Sequence, residues 1–261
     1  MHTSRHDQHP IAIRGPAGSI NVDDGGTDGI PVVFAHSFAG NTDHWTGQLE
    51  HLRSNRRAVA FDFRGHGQSD RPGSANAYGV IALAADIGAV VDSLELERFV
   101  LVGHSIGGAA ALTYAGAFPD RVAGLVLVGT PGKSPPEQAK QVMAALEADY
   151  DNTMSGYWHK LLVNARPETT ARIEREMLSV PRDDAMAIIR AAFMYDPTEL
   201  LRVYRGPVLI VDTPQRDTPG SLHRLAPHAQ RRVVKQTSHW VQLDKPDEFN
   251  RLLDDFLASV R

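Results

Sequence analysis

The run Phe99-Val100-Leu101-Val102-Gly103-His104-Ser105-Ile106-Gly107-Gly108-Ala109-Ala110-Ala111-Leu112 passes from branched apolar residues, through three glycines and one serine, into an alanine-rich segment. The apolar block predicts a short strand covered on both faces. Ile106 to Ala117 predicts a helix, alanine being the strongest helix former. Only a tight turn separates the two. Gly103-His104-Ser105-Ile106-Gly107 is therefore a G-x-S-x-G pattern in the strand–turn–helix setting of a nucleophile elbow. Such a turn crowds the backbone around the serine, so glycine is needed two residues before and two after it. The same geometry lifts the hydroxyl clear of the sheet and aims a helix N-terminus at any negative charge forming nearby. A glycine-rich turn that merely packs helix on strand is the bland alternative; the flanking strand and helix favour chemistry at Ser105.

Similar apolar blocks recur on both sides of the elbow. Ile30 to Ala35, Arg57 to Phe61, Leu125 to Val128 and Val208 to Val211 read as further buried strands, and Val233-Val234 as part of a last one. Ile11 to Ile13 and Ser19 to Val22 suggest an N-terminal hairpin. Val80 to Leu94 and Pro246 to Val260 carry apolar residues at helical spacing. Strand–helix alternation along the chain predicts an α/β fold, a mostly parallel central sheet flanked by helices. One stretch departs from it: residues 132–206 hold helical segments and no convincing strand, between a Pro-rich entry and Gly206-Pro207. This predicts a core of residues 1–131 and 207–261, with 132–206 as a helical insertion lying over the sheet.

A serine hydroxyl is a weak nucleophile and needs a base. His239, in Thr237-Ser238-His239-Trp240, falls in a loop at the same sheet edge as the elbow. An oxyanion intermediate needs two backbone N–H donors. Ile106 follows the nucleophile and is one candidate; Phe38, in the loop His36-Ser37-Phe38-Ala39-Gly40, is the other.

These residues carry a resemblance to the α/β-hydrolase superfamily, which covers nearly the whole chain from Pro10 to Arg261. Asp62-Phe63-Arg64-Gly65-His66-Gly67-Gln68-Ser69-Asp70 is similar to the family's D-x-R-G-x-G-x-S-D loop. His239-Trp240, Pro246, Phe249 and a closing amphipathic helix add to it. The resemblance implies that 132–206 is a cap roofing the pocket, and that an acid orients the histidine. Two positions depart from the pattern. Ser37 stands where relatives usually carry glycine. The loop Asp212-Thr213-Pro214-Gln215-Arg216-Asp217-Thr218-Pro219 lacks the glycine that normally follows this strand. Asp217 aligns best with the acid if the loop is one residue longer; Asp212 is the second choice. Ser37, His104, Trp158, Phe193 and Trp240 are candidates for lining the pocket. A serine at the elbow argues against the branches of the family that attack with aspartate.

Composition narrows the chemistry further. None of the 261 residues is cysteine, which excludes disulfides, thiolate catalysis and Cys-ligated metals and fits a cytoplasmic protein. A formal charge of −4 gives no electrostatic reason to expect nucleic acid or an anionic membrane as partner. The polar N-terminus holds no signal-peptide pattern, and no apolar run approaches the ~18 residues that span a bilayer. Phosphate-loop, dinucleotide and H-E-x-x-H fingerprints are missing, and His6 and His9 sit in a polar tail, so no metal or cofactor is expected. The expected partner is a small-molecule substrate, and the oligomeric state is left open. The expected reaction is hydrolysis of a small, mainly apolar carboxylic ester or lactone through an acyl-enzyme on Ser105. C–C bond hydrolysis, acyl transfer and perhydrolysis fit the same triad, and a slow or non-catalytic ligand-binding protein is the alternative of another class.

Overall fold

Along each central strand, alternate side chains point to opposite faces, and both faces of this sheet are covered. The computed structural model describes residues 10–213 and 217–260, with only the backbone of 75 and 76. His6, His9 and the loop residues Pro214 to Arg216 lie outside the described residues. Eight strands form one sheet: β1 (Ile11–Gly15), β2 (Gly18–Gly25), β3 (Val32–Ala35), β4 (Ala58–Phe61), β5 (Phe99–His104), β6 (Val122–Val128), β7 (Val208–Asp212) and β8 (Gln230–Val233). Their order is β1-β2-β4-β3-β5-β6-β7-β8. The β1–β2 hairpin is antiparallel and so is its join to β4; every pairing from β4 to β8 is parallel. This is the expected α/β class.

Every residue of β3 through β7 is buried, which is why those segments read as unbroken apolar runs. Val33, Phe61, Leu101, Leu127 and Ile210 face one core, whereas Phe34, Ala60, Val102, Val128 and Val211 face the other. On the second face lie α1 (Thr46–Leu52) and the closing α11 (Pro246–Ser259), with Trp45, Phe249 and Phe256 as the largest buried side chains. On the first lie α2 (Val80–Ser93) and α3 (Ile106–Ala117), the helix that the elbow opens. The last strand departs from expectation. It runs from Gln230 and stops at Val233, and its residues are largely exposed. As the edge strand it has a neighbour on one side only, so its Gln-Arg-Arg sequence carries no apolar signal.

Five helices and no strand connect β6 to β7: α4 (Pro136–Ala148), α5 (Tyr150–Leu161), α6 (Pro167–Met177), α7 (Arg182–Phe193) and α8 (Leu200–Val203). Pro136 and Pro167 open their helices, where a missing N–H costs nothing. Asp149 caps α5 by accepting from the N–H of Asn152. The remaining short helices, α9 (Leu222–Leu225) and α10 (Val241–Asp244), lie after β7 and β8. Named contacts hold this helical excursion to the core. Trp158 stacks between Phe38 (5.4 Å, 27°) and Trp240 (5.9 Å, 24°). Glu176 Oε2 meets His44 Nε2 at 2.6 Å, and the buried Asp184 carboxylate accepts from Tyr78 Oη at 2.8 Å and Arg71 Nε at 2.6 Å.

Candidate active site

Ser105 stands between β5 and α3 with φ 55° and ψ −122°. A non-glycine residue there stores roughly 1–3 kcal/mol of strain, which the surroundings must enforce. They do so through close packing. A Cβ on Gly107 would run into the carbonyl of His36, and one on Gly108 into the hydroxyl of Thr130. The elbow is thus clamped between the ends of β3 and β6, and the Ser105 N–H donates to Val128 O at 2.8 Å.

His239 reaches the same place from the other end of the chain. Gly129, next after Val128, has φ 49°, and a Cβ on it would lie 2.8 Å from His239 Cε1 and 2.9 Å from Nδ1. Only a glycine lets the imidazole settle there. The backbone on either side of that ring is pinned. The His239 N–H donates to Leu161 O on α5 at 2.9 Å. Its carbonyl lies 2.9 Å from His104 Nε2, and His104 Nδ1 lies 3.1 Å from Gln242 Nε2. A carbonyl only accepts, so His104 carries its proton on Nε2 and accepts from Gln242 on Nδ1. Five residues downstream, the buried Asp244 carboxylate gathers Thr237 Oγ1 (3.1 Å), Ser238 N (2.8 Å) and Ser238 Oγ (2.5 Å) on one oxygen and Arg166 N (3.0 Å) on the other.

The two candidate oxyanion donors lie on segments that the Gly107 contact brings together. Ile106 supplies the first N–H of α3, which has no acceptor within its own helix. Phe38 sits two residues after His36, whose carbonyl touches the start of that helix. His36 holds the loop in shape: its Nδ1–H donates to Ser37 O at 2.7 Å and its Nε2 accepts from the Phe63 N–H at 2.9 Å. Burial, reinforced by the neighbouring His66, keeps the His36 pKa well below the usual histidine range. Ser37, in the position where glycine was expected, is buried with its hydroxyl donating to Phe38 O at 3.3 Å.

The two candidate acids have unlike surroundings. Asp217 is exposed, with its carboxylate 2.8 Å from both Arg224 Nε and Arg224 Nη2 and 3.2 Å from His223 Nε2. The hydrogen bond from Arg224 lowers its pKa. Asp212 ends β7 and is buried, with its Oδ2 3.3 Å from Arg231 Nε and 3.4 Å from His223 Nδ1. Val128 pairs with Val211, which places Asp212 beside Gly129, the residue under the His239 ring.

A cavity of about 500 Å³ opens over Ser105, lined among others by Thr130, Gln138, Tyr157, Phe193 and Asp212. Of the candidate pocket residues Phe193 is on its wall. Ser37, His104, Trp158 and Trp240 are fully buried and are not among the lining residues. They serve instead as the loop, carbonyl and aromatic contacts described above. Asp244, Gln242 and His223 escaped the sequence reading, because a polar residue's burial and partners leave no periodic mark. A carboxylate five residues after His239 was the only local hint. Among the described residues no group of three or more His, Asp or Glu side chains could hold a metal ion, and no helix is long and apolar enough to cross a membrane.

Comparison with known proteins follows the same lines. Residues 30–162 match the family model described as alpha/beta hydrolase fold. Over 254 residues the chain is 30% identical to 2-hydroxy-6-oxo-2,4-heptadienoate hydrolase of Pseudomonas putida, covering 88% of this chain and 90% of that protein. It is 28% identical over 244 residues to the dihydrolipoyllysine-residue acetyltransferase component of the acetoin cleaving system of Pseudomonas putida. That match covers 90% of this chain and 65% of the relative, so the chain spans just under two thirds of that protein. The solved structure of Est816, described as an N-acyl homoserine lactone degrading enzyme, shares 28% identity, with a TM-score of 0.80 over 94% of this chain and 100% of that one. The chain belongs to the alpha/beta hydrolase fold family.

Proposed function

We propose that this protein is a serine hydrolase that cleaves a small, mainly apolar carboxylic ester or lactone through an acyl-enzyme on Ser105. The observation that carries the reading is the Ser105 backbone, held at φ 55° on the wall of a cavity of about 500 Å³. That volume suits a small molecule. His239 takes the Ser105 proton as the oxygen attacks the carbonyl. The N–H groups of Ile106 and Phe38 receive the oxyanion, the alcohol leaves with the proton, and water activated by His239 releases the acid. We assign the orienting carboxylate to Asp212. Its burial and its place beside Gly129 support this choice, whereas Asp217 is exposed and engaged by Arg224. Tyr157, Phe193 and Leu222 give the cavity an apolar wall, and the description of Est816 as lactone-degrading supports including lactones. The 30% identical relative named as a heptadienoate hydrolase favours C–C cleavage as the second reading on the same residues. The helical excursion would act as the cap.

The test is hydrolysis of p-nitrophenyl acetate and butyrate by wild type, Ser105→Ala, Asp212→Asn and Asp217→Asn, each shown to be folded by circular dichroism. Ser105→Ala should lose about 10³-fold or more in kcat, and Asp212→Asn should fall much further than Asp217→Asn. Equal activity of folded wild type and Ser105→Ala removes the esterase reading. The reverse order of the two Asp variants returns the acid to Asp217.

A further inference from the structure

A second cavity, of about 270 Å³, lies among α4, α5 and α7. Tyr157 lines both it and the cavity over Ser105. The same three helices serve the two spaces in successive turns. On α4, Gln138 lines the catalytic cavity, and Val142 and Leu146, four and eight residues on, line the second. Residues four apart share a helix face, so α4 turns one continuous face to both. On α7, Phe193 belongs to the first space and Ile189, one turn earlier, to the second; on α5, Thr153 stands one turn before Tyr157. The path along α4 from Gln138 to Leu146 is about 12 Å.

The chemistry of the wall changes along that path. Thr130, Ser134 and Gln138 border the space near Ser105. Val142, Leu146, Met154, Tyr157 and Ile189 give the second its apolar side, with Asn152, Thr153 and Gly156 beside them and Lys160 contributing the one charged side chain. At the junction the Tyr157 ring packs edge-on against Trp158 (5.7 Å, 69°) and 6.4 Å from Phe193. Trp158 is itself clamped between Phe38 and Trp240, so Tyr157 rests on a fixed neighbour.

We infer that Tyr157 is the residue that limits acyl chain length: it closes the catalytic cavity against an apolar extension between α4, α5 and α7 and holds the enzyme to short acyl groups. This rests on the hydrolase reading above. Removing the ring joins the two spaces and lets a linear chain run from Ser105 past Gln138 to Val142 and Leu146. Each methylene buried there is worth roughly fourfold in kcat/KM.

The experiment is a chain-length series of p-nitrophenyl esters, acetate to decanoate, on wild type, Tyr157→Phe, Tyr157→Ala and the double variant Tyr157→Ala with Ile189→Trp. Wild type and Tyr157→Phe should favour butyrate over decanoate. Tyr157→Ala should raise the decanoate-to-butyrate ratio of kcat/KM by tenfold or more, and the added Trp should bring it back. In parallel, decanoate added to the Ser105→Ala form of each variant should raise the melting temperature only where Tyr157 is Ala and Ile189 is intact. Wild-type preference for decanoate, or an unchanged ratio in folded Tyr157→Ala, overturns the inference. Absence of all ester hydrolysis strikes the hydrolase reading alone, because the melting shift still decides whether Tyr157 bars the apolar space.

Discussion

Asp244 accepts from four donors that belong to two separate parts of the chain, Thr237 and Ser238 of the loop that leads into His239 and Arg166 at the start of α6. Its carboxylate lines neither of the two cavities described above, so it works by holding others. Replacing it with alanine leaves buried donors without an acceptor, and each bond lost to a charged group costs about 1.5–3 kcal/mol. Asp244→Ala should therefore lower the stability by about 3 kcal/mol or more in urea unfolding. It should also lower kcat on p-nitrophenyl butyrate at least tenfold while KM changes little, because the loop carries His239 and not the pocket wall. Asp244→Asn keeps one oxygen acceptor and should fall between. Wild-type kcat in a folded Asp244→Ala protein would show that the His239 loop holds its shape without this residue. His104 belongs to the same group. It stands next to Ser105, yet its ring faces the carbonyl of His239 and the amide of Gln242. A G-x-S-x-G pattern says nothing about the side chain at the position before the serine, which is why it read as a pocket residue.

At the scale of elements, α3 and α5 do different work. α3 runs over the expected Ile106–Ala117, and its start approaches β3 so closely that Gly107 touches the His36 carbonyl. Gly107→Ala should push the helix away from the loop that carries Phe38, costing roughly 1–3 kcal/mol in stability. The larger effect should be on kcat, about 10²-fold or more, as for loss of one oxyanion donor. A folded Gly107→Ala protein with full activity would break the link between that contact and the proposed oxyanion site. α5 is pinned to the site by Trp158, between Phe38 and Trp240, and by Leu161 O, which accepts from the His239 N–H. Removing a buried Trp costs about 3–5 kcal/mol when the site cannot collapse. Trp158→Ala should concentrate that loss in residues 136–203, which limited proteolysis would report as earlier cleavage there than in the sheet. The sequence marked Trp158 as a candidate for lining the pocket, but not the two aromatics that sandwich it.

Across the whole molecule, buried histidines make stability depend on pH. His36 and His66 are both kept below the usual histidine pKa, chiefly by burial. In the unfolded chain a histidine titrates near ~6.5. Below that value the unfolded state takes up a proton that the folded state refuses, so acid favours unfolding. The stability these residues contribute is complete above about pH 6.5 and is lost as the pH falls toward their folded values. Urea unfolding from pH 7.5 to 5.5 should show this decline. His36→Gln should make it shallower by about one proton, roughly 1.4 kcal/mol per pH unit. An identical slope in the variant would mean that His36 takes up its proton without unfolding.

What the sequence determined by itself was the class of the sheet, its five buried strands, the elbow and the last helix, because each has a local cause. A strand buried on both faces must be apolar throughout, a tight turn into a helix must have glycine, and an amphipathic helix must repeat its apolar face. The edge strand β8 lacked that cause, and of its four residues only Val233 was marked in the sequence. Tertiary structure alone decided the rest. Which aspartate is buried beside Gly129, which aromatics stack on Trp158, and why Tyr157 stands between two cavities depend on contacts between residues tens to more than a hundred positions apart. No local pattern encodes such a contact, since Asp212 and Asp217 are equally good loop residues until β6, β7 and α9 come together and bury one of them.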